Sequence, residues 1–239
     1  MSGHSKWSTI KHKKAKEDAK RGQVFTKLIR EITVAAKEGG GDPAGNARLR
    51  VVLDKAKAAN MPQDNITRAI KKGTGELEGV SYEAAIYEGY GPYGVAVIVE
   101  TLSDNKQRTV ADLRHIFSKM GGNLGETGTV GWMFEHKGVI KFNSKKMSQD
   151  DILEKLIEYP IDDIAVEQDL ATVYCDIKDL DAVKKAITSL GFGVEDASFD
   201  WVAKNTVELE NDEQEEKVYK FLETLEDLDD VQHVFVNVG

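Results

Sequence analysis

The period of the apolar residues changes once along this chain, near Val80, and that change limits the folds open to it. Before Val80, apolar side chains recur at the 3.6-residue spacing of amphipathic helices. After Val80, short apolar runs typical of strands alternate with helical segments. We therefore expect a helical module followed by mixed α and β structure. At 239 residues, the chain is long enough for a well-buried core and for one to three domains.

Three amphipathic helices are predicted before Val80. The first covers about residues 23–37 and is ended by the glycines at 39–41. We expect Asp42 to cap the second helix and Pro43 to open it, because these residue types favour those positions. The predicted inward-facing residues are Val24, Phe25, Leu28, Ile29, Ile32, Ala35, Ala36, Leu49, Val52, Leu53, Ala56, Ile66, Ala69 and Ile70.

Strands and helices alternate over the rest of the chain. Strands are predicted at 82–90, 95–101, 129–135, 139–142, 164–167, 172–176, 194–202, 206–210 and 231–238. Helices are predicted at 105–119, 148–158, 180–190 and 212–225. The order from 139 to 202 is β-α-β-β-α-β, which is the ferredoxin-like pattern.

These elements predict an α plus α/β multi-domain protein. A basic arm and a three-helix domain occupy residues 1–79, and two ferredoxin-like α+β domains follow. One consists of 80–136 plus 204–239, and the other, 137–203, is inserted into it. The insertion is preferred because the β-α-β tail alone is too short to bury a core, and domain termini that lie close together permit insertion. Two domains in simple tandem are the alternative.

Positive charge is concentrated in the first third of the chain and negative charge in the rest. Such a separation gives information about binding partners rather than about the fold. Residues 1–72 contain 17 Lys and Arg against 7 Asp and Glu, a net charge of +10. The other 167 residues contain 15 against 34, a net charge of −19, so the overall −9 conceals a basic module on an acidic body. Such asymmetry is typical of proteins that bind polyanions. The acidic body is expected to offer a surface to other proteins.

The basic arm and the first two helices provide the predicted nucleic-acid contacts. Cations in the arm would neutralise phosphates and release counterions, and Trp7 would stack on an unpaired base. A solvated tail, with Trp7 folded back onto the helices, is the alternative interpretation. The predicted nucleic-acid-binding residues are Lys6, Trp7, Lys11, His12, Lys13, Lys14, Lys16, Lys20, Arg21, Lys27, Arg30, Arg48 and Arg50.

A second, smaller basic group lies in the acidic body. Arg108, Arg114 and Lys119 fall on one predicted helix and form a secondary nucleic-acid-binding candidate. The glycine-rich stretch at 121–128 follows that helix rather than opening one, and it matches no phosphate-binding motif. We therefore interpret this stretch as a turn between helix and strand.

The sequence nominates no catalytic residue, metal site or cofactor. The five histidines are scattered, and no pair has metal-ligand spacing. No apolar run is long enough to cross a membrane, so no membrane partner is expected. The single Cys175 lies in a strand-like run and is predicted to be a small buried hydrophobe, which favours a reducing cytoplasm. We expect a binding protein rather than an enzyme.

Several short motifs resemble those of the YebC family, and they extend over nearly the whole chain. They are Gly3–Trp7, Asp18–Arg21, Phe25–Leu28, Ala59–Pro62, Asp64–Ile66, Arg68–Ile70, Tyr87–Pro92, Asp104-Asn105, Arg108-Thr109 and Gly121–Gly125 followed by Gly128. The resemblance implies a three-domain cytoplasmic protein with a helical N-terminal domain and two α/β domains. Members of the family are described as DNA-binding regulators, whereas the mitochondrial relatives activate translation at the ribosome. The family has no established catalytic motif.

Two main functions remain open from the sequence. The first is a DNA-binding transcriptional regulator that acts through the basic module, and the second is a translation activator that docks on ribosomal RNA. Both need the basic module, because phosphate neutralisation does not distinguish duplex DNA from folded RNA. A ligand-sensing regulator is a third hypothesis, which rests on fold analogy alone.

Overall fold

The computed structural model describes residues 21–239, and its first region consists of three helices. These are α1 (Arg21–Gly39), α2 (Ala47–Ala58) and α3 (Gln63–Gly73). Their apolar faces meet in one cluster, in which Ile32, Leu49 and Ala56 are fully buried. Burial of a side chain of the size of leucine or isoleucine contributes about 1.5–3 kcal/mol, so this cluster accounts for much of the stability of the module.

The start of α2 differs from the prediction. Asn46, not Asp42, caps the helix: its side-chain oxygen accepts the N–H of Leu49 at 3.0 Å. Its amide nitrogen also donates to the backbone oxygens of Ala35 at 2.8 Å and Gly40 at 2.9 Å, which ties the end of α1 to the start of α2. The Asp42 side chain instead accepts the N–H two residues later and closes a turn.

Eight strands and four further α-helices follow residue 80. In chain order they are β1 (Glu83–Tyr90), β2 (Ala96–Ser103), α4 (Lys106–Lys119), β3 (Asn123–Leu124), β4 (Phe134–Asn143), α5 (Gln149–Leu156), β5 (Asp163–Glu167), β6 (Leu170–Cys175), α6 (Leu180–Ser189), β7 (Val194–Ala203), α7 (Asp212–Glu226) and β8 (Val231–Val236). The strands form two antiparallel four-stranded sheets. The described part of the chain is therefore a mixed helix and sheet structure.

The first sheet has the strand order β3-β1-β2-β8. On one face, Val97 and Val99 of β2 belong to a core that also takes in residues of α4 and α7. Phe117 of α4 meets Phe221 of α7 edge to face, with ring centroids 5.0 Å apart. The alternate residues of β2, among them Ile98, face the other side of the sheet, so this strand is buried on both faces.

The second sheet has the strand order β5-β6-β4-β7, and its core includes residues of α5 and α6. Ile140, Phe142, Ile152 and Ile187 are fully buried there. The elements from β4 to β7 follow the β-α-β-β-α-β order predicted from the sequence. Cys175 is fully buried in β6, which confirms its prediction as a small buried hydrophobe, and burial raises the pKa of its thiol to about 12.

Two predicted strands are wrong. Residues 129–135 do not form a separate strand: Gly131–Met133 is a short 3₁₀ helix, and β4 begins only at Phe134. The reason is that the Glu88 carboxylate accepts the N–H groups of Val130 and Gly131, which are then lost to a strand ladder. Residues 206–210 form no strand either, since Val207 makes only an isolated bridge to Val238.

Candidate nucleic-acid interface

Most of the predicted basic arm lies outside the described residues. Eight of the predicted contacts precede residue 21, and they are Lys6, Trp7, Lys11, His12, Lys13, Lys14, Lys16 and Lys20. Arg21 is the first residue of α1, and its side chain also falls outside the description. The structure therefore bears on the predicted cations that follow Arg21.

Arg30, a predicted nucleic-acid contact, lies in the junction between α1 and the first sheet. Its guanidinium donates to the Asp230 carboxylate at 2.8 Å and to the backbone oxygen of Leu102 at 3.1 Å. It also lies 5.3 Å from the centroid of the Tyr82 ring, and its side chain is only 13% exposed. These contacts commit the Arg30 cation to partners within the protein.

The Asp230 carboxylate is the centre of this junction. Besides Arg30, it accepts hydrogen bonds from Arg108 at 2.8 Å, Thr109 at 2.8 Å and Ser103 at 3.0 Å. Burial raises the pKa of Asp230, but the hydrogen bonds from Arg108, Thr109, Ser103 and Arg30 outweigh burial and hold that pKa below its usual value. A charged carboxylate therefore joins α1, α4 and the start of β8.

Lys27, another predicted contact, also faces the body of the protein. Its Nζ donates to the backbone oxygen of Glu226, at the end of α7, at 2.7 Å. One turn earlier, the side chain of Gln23 donates to the backbone oxygen of Asp227 at 3.1 Å. A cation at a helix C-terminus is stabilised by the helix dipole, so Lys27 helps to seat α1 on α7.

Arg48 and Arg50 are both paired with carboxylates. Arg48 pairs with Glu38 on the surface of the helical module. Arg50 pairs with Asp181 of α6, and close by Lys184 of α6 donates to Asp54 of α2 at 2.6 Å. The pairs of Arg50 and Lys184 join α2 to the second sheet's helices, so the helical module contacts both sheets.

The buried Glu31 and several half-buried charged side chains form a cluster at the same junction. Glu31 of α1 lies 3.0 Å from the Nε2 atom of His233 on β8. Burial raises the pKa of Glu31, but His233, Lys55 and Arg48 outweigh it and lower that pKa to about 2. Burial lowers the pKa of Lys55, yet the surrounding carboxylates raise it overall, and these are Asp196, Glu31, Asp200 and Glu100. The cluster stabilises the junction rather than an external anion.

The exposed cations without a partner among the described residues lie elsewhere on the helical module. On α3 they are Arg68, Lys71 and Lys72, which we call the α3 stripe, and Lys57 is exposed on α2. Residues at i, i+3 and i+4 share one face of a helix, so the α3 stripe is a continuous cationic surface. Lys72 and Lys37 also line an open cavity of about 630 Å³ between α3 and the segment before β1.

Of the three secondary nucleic-acid-binding candidates on α4, one is paired with carboxylates and two are not. Arg108 is bound by Asp230 and Asp104, and the hydrogen bonds that it donates to these two carboxylates raise its pKa. Arg114 and Lys119 are exposed, and within residues 21–239 neither has a hydrogen-bond or ion-pair partner. Only the latter two are open to a ligand.

The described residues offer neither a metal site nor a membrane span. Over residues 21–239 there is no group of three or more His, Cys, Asp or Glu side chains placed to hold a metal ion. Within the same range, every helix is too short or too polar to cross a membrane.

Comparison with known families covers almost the whole chain. The N-terminal domain of TACO1/YebC proteins matches residues 5–76, and their second and third domains match residues 82–238. The chain belongs to the TACO1/YebC family. This confirms the resemblance that the sequence motifs indicate.

Relatives and a solved structure agree with the TACO1/YebC assignment. The chain is 53% identical over 239 residues to a "probable transcriptional regulatory protein" of Chlorobaculum tepidum, covering 100% of this chain and 95% of the relative. It is 55% identical over 237 residues to a protein of the same name from Desulfatibacillum aliphaticivorans, covering 99% and 96%. A crystal structure of a conserved hypothetical protein from Aquifex aeolicus superposes with a TM-score of 0.88 at 48% identity, covering 98% and 97% of the two chains.

Of the exposed cations without a partner among residues 21–239, the sequence predicts Arg114 and Lys119 as nucleic-acid contacts but not Arg68, Lys71 and Lys72. Arg30 and Arg50 are predicted contacts because they lie on polar helix faces, but Arg30 binds Asp230 beside the first sheet and Arg50 pairs with Asp181 of α6. The signal that marks the α3 stripe is the i, i+3, i+4 spacing of Arg68, Lys71 and Lys72. Which polar face meets another domain is a tertiary property, and helical periodicity does not reveal it.

Proposed function

We propose that this TACO1/YebC protein is a nucleic-acid-binding regulator of gene expression, and in the first instance a DNA-binding transcriptional regulator. The observation that carries the proposal is the α3 stripe, three exposed cations on one helix face without partners among residues 21–239. The names of relatives such as the one from Chlorobaculum tepidum also support it. The function is binding rather than catalysis, and the buried thiol of Cys175 favours a reducing cytoplasm.

The α3 stripe suits phosphate contacts better than base readout. A recognition helix contacts base edges through its N-terminal residues, and α3 begins with Gln63 and Asp64 after Pro62. The cations are placed later, with Lys71 and Lys72 in the last turn. Contacts of this kind supply affinity and fix the position of a protein on a backbone without reading sequence.

A translation activator that docks on ribosomal RNA is the second candidate. It is favoured by the placement of the open cations on several elements, with Lys57 on α2, the stripe on α3, and Arg114 and Lys119 on α4. Such a spread suits an irregular RNA surface, which proteins recognise largely by shape and backbone contacts.

The proposal also includes the arrangement of the domains. We infer a ferredoxin-like domain inserted into a second α/β domain, because β8 returns from the end of the chain to pair with β2. The pairing of Phe134 with Ala203 in the second sheet supports a boundary at the 3₁₀ helix Gly131–Met133, whereas the sequence predicts one at 136/137. The acidic body then orients the basic module and offers a surface to other proteins.

Salt-dependent binding tests the role of the α3 stripe. The full chain and the triple variant Arg68→Gln, Lys71→Gln, Lys72→Gln are titrated into labelled duplex DNA, with fluorescence anisotropy recorded at several salt concentrations. Each lost phosphate contact should lower the log–log salt slope by about 0.9 on duplex DNA. A matched triple variant of exposed lysines on the inserted domain, Lys146→Gln, Lys155→Gln, Lys185→Gln, should leave the slope unchanged.

Cross-linking in living cells separates the two candidate functions. Sequencing of the nucleic acid bound to the full chain should recover promoter DNA if the protein is a transcriptional regulator. Recovery of ribosomal RNA would establish the second candidate instead. An unchanged salt slope in the α3 triple variant would remove the stripe from the interface under either function.

A further inference from the structure

An open cavity of about 630 Å³ lies between α1, α3 and the segment 75–82, which leads into β1. We call it the linker cavity. The two helices touch at its wall, since a Cβ atom on Gly73 of α3 would lie 2.3 Å from the backbone oxygen of Thr33 on α1. Its volume falls within the range of about 300–1,000 Å³ that is typical of small-molecule sites.

Two lysines from different helices line the linker cavity. Lys37 of α1 donates to the Ser81 hydroxyl at 2.9 Å, and an ammonium group has three N–H donors, so others are left for a ligand. The stem of Lys72 on α3 lies against Gly79, where an added Cβ atom would be 3.0 Å from the Lys72 Cδ atom. Lys72 has no hydrogen-bond or ion-pair partner within residues 21–239. Both cations are therefore placed at the cavity and are available to an anion.

The segment 75–82 adds apolar and aromatic groups to the lining. Leu77 and Val80 are 42% and 53% exposed, so an apolar part of a ligand could cover them. Tyr82 is half-buried, and the Arg30 guanidinium lies 5.3 Å from its ring centroid, which holds the ring in place. A ligand that suits these walls has a flat or apolar part beside its anionic group.

We propose that the linker cavity binds a nucleoside phosphate. Lys37 and Lys72 hold the phosphate, and the base lies against Tyr82 and the apolar side chains. A phosphate monoester carries a charge of about −1.5 to −2 and three acceptor oxygens, which suits two ammonium groups better than a single carboxylate does. Glu78 is the one carboxylate among the lining residues, so two lysines against one acid leave the lining with a net charge of +1.

Lys72 belongs both to the linker cavity and to the α3 stripe. A nucleotide in the cavity and a nucleic acid on the stripe therefore share one cation. This link between the two sites rests on the proposed function, whereas nucleotide binding itself does not.

Calorimetric titration of the full chain with AMP and with adenosine tests the phosphate contact. The unaltered chain should bind AMP at least about tenfold more tightly than adenosine, because hydrogen bonds to a charged group are lost with the phosphate. Lys37→Gln, Lys72→Gln should remove this preference and leave adenosine binding unchanged. Tyr82→Leu should instead weaken the binding of both ligands by about fivefold or more, since stacking on the ring is lost. Urea unfolding of each variant establishes that the fold is retained.

Lys71 provides the matched control and separates this proposal from the proposed function. It precedes Lys72 in the α3 stripe but does not line the cavity, so Lys71→Gln should bind AMP like the unaltered chain. On duplex DNA it should lower the log–log salt slope by about 0.9. Lys37 lies outside the stripe, and Lys37→Gln should show the opposite pattern, with weaker AMP binding and an unchanged salt slope. The pattern that is missing identifies the proposal that fails.

The phosphate could belong to a free nucleotide or to the 5′ end of a strand. The full chain is therefore also titrated with a short oligoadenylate that carries a 5′-phosphate and with the same strand without it. Tighter binding of AMP than of the phosphorylated strand would identify a free nucleotide as the ligand, and the reverse order would identify a strand end.

Two outcomes would overturn the proposal. A chain that prefers neither AMP over adenosine nor the phosphorylated strand over the unphosphorylated one has no phosphate site in the linker cavity. A preference that survives in Lys37→Gln, Lys72→Gln would place the phosphate elsewhere on the protein.

Discussion

The Nη1 atom of Arg30 lies 2.8 Å from the Oδ1 atom of Asp230, a residue 200 positions later in the chain. Both side chains are nearly buried, with 13% and 8% of their surfaces exposed. The same carboxylate also holds Arg108 of α4. One acidic group therefore joins α1 and α4 at the junction between the helical module and the first sheet.

Replacement of Asp230 by asparagine should destabilise the protein strongly. The Arg30 cation would remain buried without a counter-charge, which costs about 3–5 kcal/mol. Urea unfolding at neutral pH measures the loss. The control is Glu38→Gln, which breaks the exposed pair with Arg48 and should cost at most about 1 kcal/mol. Equal losses in the two variants would contradict the role assigned to Asp230.

Acid should weaken the junction through Glu31. Its pKa is lowered from 4.5 to about 2, so the folded state holds the ionised carboxylate more tightly than the unfolded chain does. The resulting stability is present above pH 4.5 and is lost as the pH falls toward 2, by roughly 3 kcal/mol at 1.36 kcal/mol per pKa unit. The free energy of unfolding of Glu31→Gln, measured by urea at pH 7 and pH 3, should therefore change less with pH than that of the unaltered chain. A pH dependence identical to that of the unaltered chain would show that Glu31 is not the responsible group.

The helices could be predicted from sequence because their signals are local. The first three helices have apolar residues at helical spacing, and glycines or a proline lie between them. The buried cluster that they form contains the predicted residues Leu28, Leu49 and Ile66. Strands could not be predicted from local sequence where a side chain distant in the chain binds the backbone N–H groups. Residues 129–135 look like a strand, but Glu88, more than forty positions earlier, takes their N–H groups.

The nucleic-acid-binding residues were harder to predict than the fold, because contacts between distant parts of the chain decide which cations are paired. Arg30 and Arg68 both lie on polar faces of basic helices, and helical periodicity does not show which of these faces meets another part of the protein. Arg30 is buried because Asp230, at the far end of the chain, lies against α1, whereas Arg68 meets no other element that pairs with it among the described residues. Family resemblance identifies the fold and the class of protein but does not decide which cations remain open to a ligand.

Asn46→Ala should cost more stability than Asp42→Ala, although the sequence favoured Asp42 as the helix cap. Loss of an N-cap side chain costs about 0.5–2 kcal/mol, and Asn46 is also buried and donates to the backbone oxygens of Ala35 in α1 and of Gly40 just after it. We therefore expect a loss of about 2 kcal/mol or more for Asn46→Ala. Asp42 is exposed and holds only its own turn, so its replacement should cost less than about 1 kcal/mol. Comparison of the two urea midpoints checks the order, and a larger loss for Asp42→Ala would restore the sequence-based cap.

Glu88→Gln should loosen the loop from Gly125 to Gly131. Burial raises the pKa of Glu88, but hydrogen bonds from three backbone N–H groups outweigh it, so the folded protein holds the ionised form. A glutamine of the same shape has one acceptor oxygen, and its amide group would face N–H donors without accepting from them. Hydrogen bonds to a charged group contribute about 1.5–3 kcal/mol, so amide exchange at Gly128, Val130 and Gly131 should quicken by tenfold or more in native-state hydrogen-exchange measurements. The matched control is Glu126→Gln, an exposed carboxylate of the same loop that accepts none of these N–H groups, and it should leave their exchange rates unchanged. Equal exchange in the two variants would mean that the loop is ordered by its own turns and not by the Glu88 carboxylate.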